Sequence, residues 1–448
     1  MVRVIAGAAL GVLAASACLS PPPVGSSSPA PAATSSPTLT AAPSTPQPGT
    51  TAIEATAAPI PRIPTGLPLS DLAYAVPLTI RHVSTESATL YFELQTPSAG
   101  RVLVQPEDGS ALPLEIALDP SNARWLRTLE GLSPATRYRV VVALEASGQP
   151  AQQPQFRSRE WGPVSFRTVA EQGGLRIGVI GDASFGDPST FELVRQMESA
   201  DLDFVLHAGD VVDETEAGSD PFDSYAEKFF APFEPLLTQM PVYTVLGNHD
   251  YDADIRYQGM PFYDHAFPPF PGAEIPQQGQ PERLQYYAFA RGQVQFLMLD
   301  SQVFFGVEGR EEETRWLEER LSDSRYRLTI PVLHVAPYSS SSVHPTNSLP
   351  MRQGWVPLFE GAGVPLSFSG HFHEYERLIA RGITFIVSGG GSSRLYAPGE
   401  ELPESQVFAR RTHFVLMEID SDRIELTAIA LGGEVLDQAV ISLPPISG

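Results

Sequence analysis

Leu175-Arg-Ile-Gly-Val-Ile180 is a short apolar run that leads directly into Gly181 and Asp182. Runs of this kind are typical of strands that are buried on both faces, as in layered α/β folds. Similar runs recur along the second half of the chain, and helix-like segments such as residues 192–197 and 311–321 separate several of them. They lie at residues 204–206, 242–246, 294–299, 329–333, 366–368 and 383–387. The pattern predicts a layered α/β domain over residues 172–448.

Polar residues that can bind metals or transfer protons follow several of these runs directly. They are Gly181-Asp182, His207-Ala-Gly-Asp210, Gly247-Asn-His-Asp250, His334 and Gly370-His-Phe-His373. In a layered α/β fold the carboxyl ends of the strands form one rim, and ligands bind at that rim. We therefore expect these side chains to lie close together, because the neighbouring glycines let the backbone turn sharply.

The chemistry of this set favours metal ions. The candidate ligands are Asp182, Asp210, Asn248, His334, His371 and His373. Oxygen and imidazole ligands suit Zn, Fe or Mn, and the single cysteine, Cys18, excludes a cysteine-built cluster. One aspartate shared by two ions would let so few ligands hold a pair about 3.5–4 Å apart. Such a pair promotes displacement at phosphorus, so the residues predict hydrolysis of a phosphate ester.

A different pattern, the alternation of apolar and polar residues, characterises residues 66–171. It predicts half-buried strands at residues 88–94, 101–104, 137–144 and 164–168, hence an all-β sandwich. Within it, Leu129-Glu-Gly-Leu-Ser-Pro-Ala-Thr-Arg-Tyr138 resembles the corner of a fibronectin type III domain, where a tyrosine ties a turn to a strand. Alternation at residues 412–442 predicts strands that complete the layered domain.

The N-terminal residues have the order of a secretory signal. Arg3 precedes an apolar stretch and then Ala15-Ser16-Ala17, and the stretch is too short to span a bilayer stably. Because Cys18 follows, residues 1–17 resemble a bacterial lipoprotein signal that leaves Cys18 as a lipidated first residue. Ordinary cleavage after Ala17 is the alternative. The first process anchors the protein to the membrane and the second secretes it, so both place it outside the cytoplasm.

Two features of the composition further limit the possible functions. Residues 18–65 are rich in Pro, Ser, Thr and Ala and nearly free of charge, which predicts an extended linker. The chain has 29 basic and 52 acidic residues, a net charge of −23. This balance disfavours a nucleic-acid-binding surface, because such a surface needs a basic face to release counterions.

The ordered set G-D-x-S, G-D-x-x-D, G-N-H-D, a strand-end histidine and G-H-x-H resembles the calcineurin-like metallophosphoesterases. The preceding β-sandwich and the segment His334-Val-Ala-Pro-Tyr-Ser-Ser-Ser-Ser-Val-His344 resemble the purple acid phosphatase branch. The resemblance implies a four-layer α/β/β/α metallophosphoesterase sandwich preceded by an all-β fibronectin-like sandwich. It also implies an exported acid phosphatase-like hydrolase that uses two divalent or trivalent ions, of Fe, Zn or Mn. In such enzymes a metal-bridging hydroxide attacks a phosphate monoester.

The resemblance also assigns roles to the metal ligands. Asp210 would bridge the two ions. One site would be completed by Asn248, His334 and His371, and the other would be served by Asp182 and His373. Two departures affect the second site: Ser184 stands where the general family often has histidine, and Asp213 stands where the purple branch has a metal-binding tyrosine. That site therefore lacks its usual fourth protein ligand, which leaves water, Ser184 or Asp213 to fill the position.

Three further residues receive catalytic roles from the resemblance. His249 would stay off the metals and donate to the phosphate or to the leaving-group oxygen. Asp213 would orient His249 and raise its pKa, with Asp250 as the alternative orienter. His344 would be a second donor near the leaving group.

Other residues near the rim motifs are weaker candidates. His207 is predicted to orient the rim through a hydrogen bond rather than to bind metal. Tyr338, Arg377 and Arg394 flank the motifs and are candidates for contact with the substrate. Two alternative functions stay open: a phosphodiesterase or nucleotidase of the same fold, and a non-catalytic surface lipoprotein with a degenerate metal site.

Overall fold

A computed structural model describes residues 74–144, 164–170, 173–213, 221–251, 262–276 and 284–444. The predicted signal at residues 1–17 and the predicted linker at residues 18–65 lie outside the described residues. Among the residues that the structure describes, none of the helices combines the length and the apolar character needed to cross a bilayer.

The first part of the described chain consists of antiparallel strands in two sheets, with the orders β1-β2-β5 and β4-β3-β6-β7. The strands are β1 (Tyr74–Val83), β2 (Ser87–Leu94), β3 (Gly100–Pro106), β4 (Leu114–Ala117), β5 (Arg124–Glu130), β6 (Arg137–Leu144) and β7 (Val164–Arg167). In β6 the alternate residues Tyr138, Val140 and Val142 are buried, as the period-two pattern predicts. The Tyr138 hydroxyl accepts a hydrogen bond from the Ser133 main-chain nitrogen at 2.8 Å, so the tyrosine does tie the preceding turn to the strand.

Two larger mixed sheets follow. Sheet I has the order β10-β9-β8-β18-β19-β20, and sheet II has the order β11-β12-β13-β14-β16-β15-β17. Sheet I contains β8 (Leu175–Ile180), β9 (Phe204–His207), β10 (Val242–Thr244), β18 (His413–Ile419), β19 (Arg423–Ala430) and β20 (Val435–Ser442). Sheet II contains β11 (Tyr287–Arg291), β12 (Val294–Leu299), β13 (Leu328–Val335), β14 (Leu366–Gly370), β15 (Tyr375–Ala380), β16 (Ile383–Ser388) and β17 (Ser405–Ala409). The alternating segment near the end of the chain thus forms β18 to β20, which extend sheet I.

The helices are short and connect these strands. They are α1 (Pro188–Glu198), α2 (Pro221–Tyr225), α3 (Ala231–Leu237), α4 (Tyr263–Ala266), α5 (Arg310–Leu321), α6 (Leu349–Gly354) and α7 (Val356–Gly361). A π-helical segment, Ala226–Phe230, joins α2 to α3. A 3-10 turn, Ser301–Phe304, follows β12.

Three hydrophobic cores hold these elements together. The first lies between sheets I and II and includes Phe204 from one and Phe296 from the other. The second packs sheet II against α5 and α7. The third packs sheet I against α1 and α3 and continues into the smaller sheets of the first part. Each core consists mainly of buried aromatic and aliphatic side chains, whose removal from water is the main stabilising term.

Parallel pairing places the carboxyl ends of the central strands at one edge. In sheet I, β8 runs parallel to β9, and β9 runs parallel to β10. In sheet II, β13, β14 and β16 are parallel neighbours. The Ser388 hydroxyl, at the end of β16, donates to the Val179 carbonyl of β8 at 3.3 Å, so the ends of the two sheets meet at this edge. We call this edge the rim.

The first part of the described chain is bound to the larger sheets through buried polar contacts. His82 of β1 lies 2.9 Å from the Tyr243 hydroxyl through its Nδ1 atom. Arg291 donates to the same hydroxyl at 2.6 Å, and its other terminal nitrogen lies 3.1 Å from His82 Nε2. Because Arg291 is only 7% exposed, these contacts satisfy donors that would otherwise be costly to bury.

Asp187 joins α1 to the glycine-rich turn that follows β16. Its carboxylate accepts from the Thr190 nitrogen at the start of α1 and from the Ser393 nitrogen, each at 3.0 Å. Partial burial raises the pKa of Asp187, but hydrogen bonds from Ser393 and Ser189 outweigh it and lower the pKa to about 2.

Replacing Asp187 with alanine is expected to lower the free energy of unfolding by about 1–2 kcal/mol, the usual value for a helix N-cap. Because the folded-state pKa is depressed, this contribution is present above the ordinary carboxyl pKa of about 4 and is lost as the pH falls through about 2. Urea unfolding at neutral and acidic pH measures both effects. Asp422→Ala, a change at an exposed aspartate, is the control, and an equal effect of the two substitutions would contradict the prediction.

Candidate metal centre

The structure brings the predicted ligands together at the rim. Asp182 and Asp210 follow β8 and β9, Asn248 follows β10, His334 lies near the end of β13, and His371 and His373 follow β14. Asn248 Oδ1 lies 3.1 Å from His334 Nε2 and 3.0 Å from His371 Nδ1. Asp210 Oδ2 lies 3.3 Å from His334 Nε2, and Asp182 Oδ1 lies 3.4 Å from His373 Nε2. These distances link Asn248 to His334 and His371, Asp210 to His334, and Asp182 to His373.

The backbone at this rim is held in a conformation that most residues avoid. Asp182, Asp210 and His371 have φ angles of 56°, 51° and 67°, and His344 has a φ angle of 54°. Left-handed φ is uncommon for residues other than glycine, and it costs free energy that the surrounding structure must supply. Half of the eight non-glycine residues with positive φ in the described part of the chain thus belong to this small set. Such clustering of strain is typical of functional sites.

Second hydrogen bonds fix the orientation of two of the imidazoles. His334 Nδ1 donates to the Ala208 carbonyl at 2.8 Å, and His373 Nδ1 donates to the Arg394 carbonyl at 2.6 Å. Each ring therefore directs Nε2 toward the carboxylates, where a metal ion would replace its proton. His371 is oriented the other way, with Nδ1 toward Asn248 and Nε2 at 3.1 Å from Asn347 Nδ2.

The two buried carboxyl groups differ in their electrostatic environment. Burial raises the pKa of Asp182, which is fully buried. Burial also acts on Asp210, but His334 and His249 outweigh it and lower the pKa of that carboxyl. Burial of the ring lowers the pKa of His334, but the Asp210 carboxylate outweighs burial and raises this pKa to about 10. Asp210 and His334 therefore form a buried ion pair, and a bound cation would take the place of the proton on His334.

These residues fit a metal ion. Asp182, Asp210 and His334 each offer one ligand atom, and these atoms lie within 4.8 Å of one another. Asp182 Oδ1 is buried and has no hydrogen-bond partner among the described residues. An unpartnered buried carboxylate oxygen is costly unless a cation completes its environment. Oxygen and imidazole donors in this combination suit Zn, Fe or Mn.

Residues 175–375, which contain all of the predicted ligands, match the calcineurin-like phosphoesterase family. These residues are therefore similar to a calcineurin-like phosphoesterase domain. The chain is 28% identical over 222 residues to a probable purple acid phosphatase, number 20, of Arabidopsis thaliana, covering 48% of each chain. It is 27% identical over 272 residues to purple acid phosphatase 23 of the same plant, covering 56% of each. The chain thus spans about half the length of the curated relatives it matches.

A solved structure supports the assignment of the fold. The purple acid phosphatase PPD1 from yellow lupin seeds aligns with a TM-score of 0.64, covering 82% of this chain and 74% of that chain. Their sequence identity is 16%, so the likeness concerns the fold alone. Over the aligned part, the chain therefore has a fold like that of this solved structure.

The residues predicted to act beside the metals lie at the rim, next to the predicted ligands. His249 Nδ1 lies 3.5 Å from Asp213 Oδ1, and the His249 main-chain nitrogen donates to Asp210 Oδ1 at 2.9 Å. The His344 ring stacks on the His371 ring with 5.2 Å between centroids. Asp250 does not orient His249. Its carboxylate accepts from the main-chain nitrogens of Val211 and Gly247, at 3.0 and 2.8 Å, and so holds two ligand loops together.

One prediction about a residue near the rim is wrong, and one weaker candidate for substrate contact lies outside the site. His207 makes no hydrogen bond from either ring nitrogen within the described residues. It packs instead against Phe229 and Phe233, and burial lowers its pKa to about 3. Arg377 does not reach the site, because its guanidinium pairs with Asp437 at 2.6 Å on the side facing sheet I. In both cases the partner is distant in sequence and gives no local signal.

Sequence reasoning missed one residue of the site. Asn347 lies in the loop after His344, and its main-chain nitrogen donates to the His344 carbonyl at 3.0 Å. Its side-chain nitrogen approaches His371 as described above, so it holds the His344 loop against a predicted metal ligand. A polar residue three positions after His344 carries no motif that distinguishes it from an ordinary turn residue.

Proposed function

We propose that the protein is a metal-dependent phosphatase that hydrolyses phosphate monoesters. The observation that carries the proposal is the convergence of buried ligand atoms from Asp182, Asp210 and His334 within 4.8 Å, at the rim of a calcineurin-like phosphoesterase domain. The relatives are named as purple acid phosphatases, which supports a phosphatase-type reaction.

The ligands would be divided between two ions. Asp210 would be shared, one site would be completed by Asn248, His334 and His371, and the other would be served by Asp182 and His373. When bound, the ions would supply Lewis acidity and activation of a water molecule toward phosphorus. The spacing of the two groups of side chains supports this division.

His249 is proposed as the residue that meets the phosphate. Its side chain is 34% exposed, so it reaches the open edge of the site while its main chain is bound to Asp210. From there its imidazole would donate to a phosphate oxygen as negative charge develops. His344, which stacks on His371, would donate a proton to the leaving oxygen.

Asp213 is proposed to orient His249 rather than to bind metal. One carboxylate oxygen lies 3.5 Å from His249 Nδ1 and the other lies 3.5 Å from an Arg394 guanidinium nitrogen. A movement onto the metal would give up both interactions. The second metal site would then keep water as its fourth ligand, and activity is proposed to depend on added metal.

The surrounding parts of the chain are proposed to support this enzyme. Residues 66–171 would be a fibronectin type III-like domain, which the two antiparallel sheets and the Tyr138 contact support. Sheets I and II with helices on both outer faces would be the four-layer α/β/β/α sandwich, which the three cores support. Export, with lipidation of Cys18 or simple secretion, rests on the sequence of residues 1–17.

The proposal is tested by assaying metal-free protein after addition of Mn, Fe or Zn, with an aryl phosphate and its bis-aryl diester as substrates. We expect kcat/KM for the monoester to exceed that for the diester, and activity to vanish in chelator-treated protein. A higher kcat/KM for the diester would instead identify a phosphodiesterase. Bound metal without any turnover would favour the non-catalytic surface protein.

A further inference from the structure

A fully buried glutamate lies beneath the segment that carries His344. Glu376 belongs to β15 and is 0% exposed. One of its carboxylate oxygens accepts from the Ser340 main-chain nitrogen at 2.8 Å, and the other accepts from the Ser405 hydroxyl at 2.6 Å. Hydrogen bonds to a carboxylate are stronger than neutral ones, and breaking one inside a protein leaves a buried polar group unpaired. Glu376 therefore binds the segment before His344 firmly to sheet II.

Residues 339–342 are all serine, and we call them the serine segment. Ser340, at its centre, is only 3% exposed and is bound through three of its polar groups. Its carbonyl accepts from the Gly399 nitrogen at 2.6 Å, and its hydroxyl accepts from the Leu402 nitrogen at 3.0 Å. Its main-chain nitrogen donates to Glu376 as described above. The glutamate therefore fixes one side of the serine segment, and the loop before β17 fixes the other.

The position of His344 depends on this support. His344 follows Ser340 by four residues and has a φ angle of 54°, in the left-handed region. Its ring stacks on His371 and meets the Tyr396 ring edge-on, with 6.5 Å between centroids. A residue other than glycine keeps a left-handed backbone only where the surrounding contacts enforce it. A shift of Ser340 would therefore move the His344 imidazole relative to the rim.

We propose that Glu376 is a positioning residue that holds His344, through the serine segment, where it protonates the leaving oxygen of the substrate. This inference rests on the proposed phosphatase function. During hydrolysis water adds to phosphorus, the P–O bond to the leaving oxygen breaks, and that oxygen takes a proton from His344. A proton released by the attacking water then restores the imidazolium. Alkyl phosphates need this proton most, because an alkoxide is a poor leaving group. Glu376 would thus extend the substrate range from aryl to alkyl monoesters.

The dependence of the rate on the leaving group tests the inference. In metal-loaded protein, kcat/KM is measured for 4-nitrophenyl phosphate and for an alkyl phosphate. Glu376→Leu removes the acceptor of the Ser340 nitrogen. We expect it to lower kcat/KM for the alkyl ester by about 100-fold, the usual contribution of a general acid, and for the aryl ester by about threefold at most. Glu376→Gln should restore the alkyl rate, because its amide oxygen accepts from Ser340 while its amide nitrogen donates to the Ser405 hydroxyl.

Ser405→Ala is the matched control. It removes the donor on the other oxygen of the same carboxylate and leaves the bond to Ser340 in place, so the ratio of the two kcat/KM values should stay at the wild-type value. An equal loss for both esters in Glu376→Leu would overturn the inference, since that result indicates a general structural role. An unchanged ratio would overturn it as well. If Glu376→Leu does not fold, Glu376→Asp replaces it, because the shorter side chain retracts from Ser340.

Amide hydrogen exchange separates this inference from the proposed function, because it needs neither metal nor turnover. We expect the Ser340 amide to exchange at least about tenfold faster in Glu376→Leu than in the wild type or in Glu376→Gln, since no hydrogen bond then protects it. Unchanged exchange in Glu376→Leu would contradict the positioning role at any level of activity. If the wild type hydrolyses no ester with any metal, the phosphatase proposal fails, and the exchange rates still decide whether Glu376 holds the serine segment.

Discussion

Asp210→Asn is expected to lower kcat for an aryl phosphate by about 1000-fold or more and to reduce bound metal from about two ions per chain to one or none. Asp210 is 2% exposed, its Oδ2 lies 3.3 Å from His334 Nε2, and one of its ligand atoms lies within 4.8 Å of a ligand atom each from Asp182 and His334. The substitution removes the negative charge that pairs with His334. It keeps an oxygen that can still accept from the His249 nitrogen, so the loop should retain its conformation. Elemental analysis after dialysis and steady-state kinetics measure the two effects.

Asp203→Asn is the matched control for this change. Asp203 precedes the same strand, β9, at the end away from the rim, where it accepts from the Arg176 main-chain nitrogen at 2.8 Å. We expect it to leave metal content and kcat unchanged. Full metal content together with full activity in Asp210→Asn would contradict the proposed bridging role.

Gly247→Ala is expected to lower kcat by about 100-fold or more and to destabilise the fold by about 1–3 kcal/mol. An added Cβ at this position would lie 2.7 Å from Asp210 Cγ, and closer still to its Oδ1 and main-chain nitrogen. The Asp210 loop cannot move away easily, because Asp250 holds it to Gly247 through hydrogen bonds with both segments. The overlap must therefore displace Asp210, a predicted metal ligand. Activity, metal content and urea unfolding together report the displacement.

Gly361→Ala provides the comparison. Gly361 ends α7, and a Cβ there meets no atom of the described residues within 4 Å. This variant should keep full activity and gain slightly in stability, since alanine has the higher helix propensity. If Gly247→Ala behaved like Gly361→Ala, the close approach of the two ligand loops would be wrong.

The apolar runs were sufficient to locate most strands of the larger sheets, and β8 and β12 begin and end where the runs do. The strand β15, which contains a buried charged residue, was not predicted. β15 contains Glu376, which is fully buried yet accepts from the Ser340 nitrogen at 2.8 Å and from the Ser405 hydroxyl at 2.6 Å. A local pattern cannot show such partners, so the segment does not resemble a strand in sequence.

The first strand, β1, was missed for a related reason. It contains Pro77 and the charged residue Arg81, which argue against a buried strand. In the structure β1 is an edge strand, where proline is tolerated, and Arg81 is buried with its guanidinium carbon 5.1 Å from the centre of the Phe267 ring. Tertiary contacts from residues almost two hundred positions away decide its conformation.

The candidate site was more predictable than the fold because each predicted ligand lies close to a strand end. The contacts that orient the site's side chains were less predictable from the sequence. Arg394 and Asp213 meet across 181 positions, and neither belongs to a motif that would pair them. Contacts between residues that are distant in the sequence are thus the part of the site that only a structure reveals.

The buried contacts among His82, Tyr243 and Arg291 have a further consequence for access to the metal centre. If the N-terminal strands moved away from the larger sheets, these hydrogen bonds would break. The Arg291 guanidinium and the Tyr243 ring that it contacts would then be exposed to water. Opening and closing by a hinge between the two halves is therefore unfavourable. Under the proposed function, control of access would then be left to side chains and loops at the rim, among them the segments that carry His344 and Arg394.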